Sequence, residues 1–237
     1  MISKSDIKFI KSLAHKRYRD ENSVFIAEGE KIVNEALASS YTVESVYYKD
    51  DIGDDAMSRI SLLSTPSPAL AVVKMKRPAE YSVLDYSKLY FALDSVRDPG
   101  NLGTIVRISD WFGIDTIFAS EDTVDIYNPK VVQASMGSVF RVEIRYGGLN
   151  TILSSFKGNA PVYGTFLSAK SIYETQLSKN GVIVLGSESH GISAKIEDIV
   201  DQKILIPQYP ADSQRVESLN VAVSAAIVAS EFRRFSV

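Results

Sequence analysis

The chain of 237 residues predicts an α/β protein with a mainly parallel sheet, preceded by a smaller α/β unit. Three observations carry this. From about Ser87, short apolar runs alternate with helix-period patterns, the signature of βαβ units with helices on both faces of a sheet. One run, GVIVLG at 181–186, is apolar throughout, as a strand covered on both faces requires. The first 75 or so residues repeat the alternation on a smaller scale.

In the first part, SDIKFIKSLA reads as a helix, SVFIAEG as a strand, EKIVNEALAS as a helix and ESVYYKD as a strand. KRPAEYSVLDYS, at 76–87, mixes a Pro with polar residues and reads as a linker between domains spanning 1–75 and 88–237. Beyond it, the strand-like runs are KLYFALDSV, TIFAS, RVEIR, PVYGTFL, GVIVLG and QKILIPQ. Between them NLGTIVRISDWFG, NPKVVQASMG, LNTILSSFKG and SAKIEDIV follow a helical period. SLNVAVSAAIVASEFRRF closes the chain as a long helix, with Ser218 read as its N-cap and Asn220 inside its first turn.

Composition removes several function classes. The chain has no Cys, which excludes disulfides, thiolate zinc sites, iron–sulfur clusters and a Cys nucleophile. Only His15 and His190 are present, so no metal site is expected. The N-terminus lacks the apolar core of a secretory signal, and VAVSAAIVA is about half a membrane span. A soluble cytoplasmic protein without a membrane partner is the expectation. The net charge of −3 weighs mildly against nucleic acid, but local patches matter more than the total.

Ligands of parallel α/β sheets bind outside the carboxyl ends of the strands. Three segments follow strands there with unusual residues: DPGNLGTIVR, GSESHGIS and PQYPADSQRVESLN. In the first, Pro99, Gly100 and Asn101 suit a turn and a helix start. Arg107, one turn beyond Gly103 on the same helix face, is not explained by a turn. The second nearly matches a hydrolase nucleophile elbow at Ser189, but Ser187 replaces the first Gly and the order of His and Ser is wrong. Glu188 sits there between two glycines, where it suits a helix cap, a cation or a ribose hydroxyl. The dinucleotide fingerprint and the phosphate-binding P-loop are both absent.

Taken together these residues resemble the SpoU (TrmH-like) family of RNA ribose 2′-O-methyltransferases, within the SPOUT class. Its N-x-G-x-x-x-R motif is matched by Asn101, Gly103 and Arg107. Its G-x-E-x-x-G motif is matched by Gly186, Glu188 and Gly191, and its third motif by Ile206-Pro207 followed by Ser218-Leu219-Asn220-Val221. Ile206 and Ser218 lie twelve positions apart, a longer spacing than is usual in the family. KRYRDENSVFIAEGEKIVNEAL is similar to the substrate-binding domain that many members carry first.

The resemblance implies a sheet ending in a deep trefoil knot, an L30e-like substrate-binding domain over 1–75, and a homodimer that completes the active site. It implies S-adenosylmethionine as the methyl donor and no metal. Arg107, Asn101, Glu188, Ser218 and Asn220 become the candidate catalytic residues. Thr165, Leu185, Gly186, Glu188, Gly191, Ile206 and Leu219 become the candidate cofactor contacts. Arg107 is either the proton acceptor or the group that holds the phosphate beside the reacting ribose, and a guanidinium that loses its proton only above pH 12 favours the second.

RNA is the implied partner, rRNA before tRNA. Lys4, Lys8, Lys11, Lys16, Arg17 and Arg19 stand against a single Asp6 over 4–19, and Tyr18 can stack on a base. Lys11, Lys16, Arg17, Tyr18 and Arg19 are accordingly the candidate RNA contacts, with a solvated helix face as the plain alternative. A non-catalytic RNA-binding factor of the same fold is the competing function.

Overall fold

The computed structural model describes residues 2–76, 84–210 and 217–234. The chain divides into two compact units: the described part of Met1–Arg77 together with Asp125–Arg141, and the described part of Pro78–Val237 outside that segment. Part of the linker expected at 76–87 therefore lies outside the described residues. At its end, Leu84 and Tyr86 pack against the core of the second unit.

The first unit opens with helix α1 (Lys4–Ser12), started by a reciprocal cap between Ser3 and Asp6. Helix α2 (Lys16–Asn22) and strand β1 (Val24–Glu28) follow. Next come α3 (Glu30–Ala38), β2 (Val43–Tyr48), α4 (Lys49–Ile52), α5 (Asp54–Ile60) and β3 (Ala69–Lys74). The sheet is antiparallel in the order β1-β3-β2, with Ile26 opposite Val72 and Val46 opposite Ala71. Its central strand, ALAVVK, is not among the runs picked from the sequence. It is a buried apolar run directly after the Ser- and Pro-rich STPSP, a turn boundary that was the available signal for a strand. Ile10, Leu13, Val24, Ile26, Met57, Ile60, Leu70 and Val72 form one core.

The segment Asp125–Arg141 carries helix α7 (Pro129–Ser135), begun by Asn128 as N-cap and Pro129 in the first turn. Tyr127 and Phe140 join Phe25 and Tyr41 in a ring cluster, with Phe25 and Tyr127 centroids 4.5 Å apart. Burial in this cluster raises the Tyr127 phenol far above its ordinary value, so the ring stays neutral. Arg141 pairs with Glu35.

Arg19 departs from the sequence expectation. It is 1% exposed and cannot meet RNA. Its Nη1 donates to the carbonyls of Leu13 and Ala14 at 3.0 and 2.9 Å, and its Nη2 to Asp125 Oδ2 at 2.7 Å. The charge count along 4–19 treated it as one basic residue among several, whereas the start of α2 turns its guanidinium inward to carbonyls and a carboxylate. Lys16 and Arg17 remain exposed but bind Asp20 and Glu21, one turn on, each at 2.7 Å. Lys11 donates to the carbonyl of Ser61, and Tyr18 is 42% exposed.

The second unit is a sheet of six strands, all paired in parallel. In chain order it contains β4 (Leu89–Asp94), α6 (Pro99–Trp111), β5 (Thr116–Ala119), β6 (Glu143–Tyr146) and α8 (Leu149–Ser154). Then follow β7 (Val162–Ser171), β8 (Gly181–Gly186), α9 (Ala194–Glu197), β9 (Gln202–Leu205) and α10 (Val221–Arg233). The strand order is β6-β5-β4-β8-β7-β9, so GVIVLG is a central strand as its composition predicts. Tyr90, Ala92, Val182 and Val184 face Leu149, Leu153, Phe156 and Ile196 of the α8–α9 side. The alternate residues face the other way, where α10 packs on α6. Arg233 donates from Nε to the Phe112 carbonyl at 2.9 Å and from Nη2 to Gly113 at 3.2 Å, satisfying carbonyls left free where α6 ends.

Among the described residues no helix is long and apolar enough to cross a membrane.

Removing Arg19 leaves Asp125 and two carbonyls without their donor in a buried place. Arg19→Ala is expected to lower the unfolding free energy by about 3 kcal/mol, read as a lower urea midpoint with an unchanged slope. Lys16→Ala, on the exposed side of α2, should stay within about 0.5 kcal/mol of the parent chain.

Candidate active site

The register of the sheet assembles the site. β4 and β8 are neighbours, and Asp94 pairs level with Gly186. The loops that leave their carboxyl ends therefore start side by side, as parallel sheets arrange their ligand sites.

After β4 the chain turns through Ser95, which holds φ at +62°, a left-handed conformation unusual for Ser. Its N–H donates to Ser120 Oγ at 2.9 Å and its hydroxyl to Asp122 Oδ1 at 3.1 Å. Asp98 caps α6 by accepting from the Asn101 N–H at 2.8 Å, and Pro99 occupies the first turn. Asn101 is thereby fixed in the first turn of α6 rather than acting as its cap.

The β8 loop closes on itself. Ser187 and Gly191 exchange backbone hydrogen bonds of 3.1 and 2.8 Å. Gly191 sits at φ +67°, and a Cβ on Gly186 would lie 2.1 Å from the Gly191 carbonyl carbon. Both glycines are required by the loop's own geometry. The closure leaves Glu188 exposed at the tip, with Ser189 Oγ and His190 Nδ1 bonded to each other at 2.8 Å.

Asn220, and not Ser218, caps α10. Its Oδ1 accepts from the N–H groups of Ala222 and Val223 at 3.0 and 3.3 Å. Asn caps as well as Ser, and the helix starts two residues later than an N-cap at Ser218 would need. Its other end reaches across the site: Nδ2 donates to Asn101 Oδ1 at 2.8 Å. Asn101 Nδ2 in turn donates to Glu188. A continuous chain of hydrogen bonds, Asn220 to Asn101 to Glu188, thus joins three segments far apart in sequence.

Other expected residues stand outside that chain. Arg107 is exposed on α6 and, among the described residues, has no hydrogen-bond or ion-pair partner. Ser218 is exposed without a cap to make. Leu185 is fully buried, so it can offer a ligand only its backbone. Thr165 donates to the Val184 carbonyl at 3.3 Å across β7 and β8. Ile206 is half-buried just past β9, and Leu219 is 47% exposed.

The sequence reading passed over Asp94, Arg97 and Ser193. They border a cleft of about 280 Å³ at the β4 and β8 ends, together with Glu188, Ser189 and His190. A carboxylate closing the otherwise apolar run LYFAL was the available signal for Asp94. Arg97 is held by Asp122 at 2.7 Å. This bond and those from Ser120 and Ser95 pull the Asp122 carboxyl down to about 2. Among the described residues no group of three His, Asp or Glu is placed to hold a metal.

Residues 88–230 match the model of the SpoU rRNA Methylase family, and 4–72 that of the MRM3-like substrate binding domain. The 23S rRNA (guanosine(2553)-2′-O)-methyltransferase RlmP of Bacillus subtilis is 31% identical over 96% of this chain and 95% of its own length. The structure of a candidate TrmH-family RNA methyltransferase from Porphyromonas gingivalis superposes with a TM-score of 0.86 at 37% identity, covering 99% of each chain. An AdoMet-bound rRNA methyltransferase from Sinorhizobium meliloti superposes with a TM-score of 0.86 at 27% identity, over 100% of this chain and 98% of that one.

Two tests follow from the local geometry. Asn220→Asp keeps the capping oxygen and should leave stability nearly unchanged, whereas Asn220→Ala should cost about 1 kcal/mol in urea unfolding. The Asp122 carboxyl is depressed from 3.8 to about 2, so its stabilising contribution is full above about pH 4 and is lost as pH falls through 2. Asp122→Asn should flatten the fall in urea midpoint across that window.

Proposed function

This chain belongs to the SpoU rRNA Methylase family, and from that premise we propose that it transfers the methyl group of S-adenosylmethionine to a ribose 2′-hydroxyl of ribosomal RNA. It is an RNA 2′-O-methyltransferase, and the observation that carries the site assignment is the Asn220–Asn101–Glu188 chain. That chain unites one residue from each of the three family motifs. A purely RNA-binding relative has no need of so connected a polar wall.

The residues present fit S-adenosylmethionine. An adenosyl group needs backbone donors and acceptors beside apolar surface. β8 and β9 end near Gly186 and Ile206, and between them Thr165 of β7 stands level with Ile204 of β9 where the strand becomes irregular. The part-exposed Leu219 adds apolar surface. Leu185 and Gly191 join through their backbone groups. Bound there, the donor supplies a methyl group on a sulfonium that leaves as a neutral sulfide.

The protein's part is to align the hydroxyl and provide for its proton. Arg107, free of partners among the described residues, holds the phosphate beside the reacting ribose and offsets the charge that develops on oxygen. The proton passes to that phosphate, because a guanidinium is too weak an acid to serve as a base at neutral pH. Glu188, fixed by Asn101, orients the ribose. Ser218, exposed beside Leu219, completes the polar wall.

The remaining architecture follows the family reading. The end of the sheet is threaded as a deep trefoil knot, and residues 1–75 form an L30e-like domain that receives RNA. Lys11, Lys16, Arg17 and Tyr18 remain its RNA contacts, without Arg19. A homodimer is supported by apolar side chains left open on the paired helices α6 and α10, Trp111 at 84% and Val223 at 48% exposure.

The test is methyl transfer from labelled S-adenosylmethionine to separate pools of unmodified rRNA and tRNA. Label is expected in rRNA as a 2′-O-methylated nucleoside. Arg107→Ala should reduce transfer at least about 100-fold while donor affinity stays within about twofold. Undiminished transfer in the mutant would remove Arg107 from the mechanism. In RNA-binding assays, replacing Lys16 and Arg17 together should lower the slope of log affinity against log salt by about 1–2. An unchanged slope would return that helix face to solvent.

A further inference from the structure

The loop that follows β8 carries two side chains with no part in the polar chain of the site. Ser189 Oγ and His190 Nδ1 are bonded to each other at 2.8 Å. The loop's own bonds hold this pair in place. The His190 N–H donates to Ser187 Oγ at 3.2 Å, and the Ser187–Gly191 bonds close the backbone around it. His190 is exposed, and its Nε2 has no hydrogen-bond partner among the described residues. With Ser189 it borders the cleft of about 280 Å³ at the β4 and β8 ends, whose wall includes Glu188.

Methyl transfer leaves a proton to place. A phosphodiester is the anion of a strong acid, so a phosphate that takes the proton of the 2′-hydroxyl cannot keep it at neutral pH. A stronger base must stand nearby. The other ionisable groups of the cleft wall are Asp94 and Arg97 at the β4 end and Glu188 on the same loop, while the α9 side contributes only Ser193. Arg97, like Arg107, is protonated already. Carboxylates are weaker bases than an imidazole. Both of these are also engaged: Asp94 accepts from the Ser193 N–H at 2.7 Å, and Glu188 accepts from Asn101. An imidazole changes its charge between pH 5 and 8, so it can take a proton and return it to water.

We propose that His190 is the final proton acceptor of methyl transfer, with Ser189 as its positioning residue. This rests on the methyltransferase reading and adds the destination of the proton. The neutral ring donates from Nδ1–H to Ser189 Oγ, which leaves the lone pair on Nε2. That bond survives protonation, because Nδ1 is still a donor in the imidazolium. The 2′-oxygen forms its bond to the methyl carbon as the carbon–sulfur bond breaks and its electron pair goes to sulfur. The hydroxyl proton moves to a phosphate oxygen and from there to Nε2. The diester anion is restored, and the positive charge that left sulfur ends on the imidazolium.

The experiment is single-turnover methyl transfer from labelled S-adenosylmethionine to unmodified rRNA and tRNA across about pH 5–8, the range in which an imidazole changes charge. The wild-type rate is expected to rise with pH, because only the neutral ring accepts a proton. His190→Ala should lower the rate at the upper end about 100-fold and abolish the rise. Free imidazole should raise the rate of this variant at least about tenfold and leave the wild type unchanged. His190→Gln keeps a polar side chain that cannot take the proton, and should be as slow as the alanine variant. A side chain needed only for the shape of the loop would instead recover with Gln. A flat wild-type profile, a rise that persists in His190→Ala, recovery in His190→Gln, or no rescue by imidazole overturns the assignment. The wild-type profile keeps it falsifiable even if a variant does not fold. In each of these outcomes the wild type still transfers methyl groups, so the enzyme reading stands. No transfer by the wild type to either RNA overturns both.

Discussion

Asp94 and Gly186 stand level on neighbouring parallel strands, and the candidate site depends on that register. The strands are far apart in the chain, yet their common carboxyl edge brings the first turn of α6 beside the closed loop 187–191. Slipping this pairing by one residue would turn every side chain of β8 to the opposite face. β8 is apolar throughout and β4 is apolar up to Asp94, which allows either face to be buried, so the register is held by what lies at the ends. There the Ser193 N–H binds Asp94, and the Ser187–Gly191 pair closes the loop.

From this edge the polar chain of the site extends to α10. Asn220 uses one end of its amide to start that helix and the other to hold Asn101. Asn101 in turn holds Glu188. Capping and bridging are combined in one side chain, because an amide carries an acceptor and a donor on opposite sides. A Ser or Asp at this position would cap the helix, but neither could cap it and donate an N–H across the site. Arg107 shows the opposite economy. Among the described residues its guanidinium takes no part in the hydrogen bonding of the fold, which leaves its charge uncompensated on the surface of α6.

Arg17 and Arg19 lie two residues apart on α2, yet one is exposed and pairs along its helix while the other is buried against two carbonyls and Asp125. No count of charges along 4–19 separates them. The difference lies in the helix period, which turns Arg19 inward, and in a partner that is 106 positions away.

The alternation of apolar runs and helix-period segments determined by itself the α/β class, the order of the strands from β4 to β9 along the chain and the position of the loops at their ends. These features are local, set by side-chain period and turn chemistry within a few residues. The candidate residues Asn101, Glu188 and Asn220 were legible from motifs at those ends. Their mutual hydrogen bonds, the role of Asn220 as a cap, the central place of β3 in an antiparallel sheet, the burial of Arg19 and the bond from the Ser193 N–H to Asp94 were decided only by tertiary structure. Each depends on partners remote in sequence, and no local pattern records which strand will lie beside which.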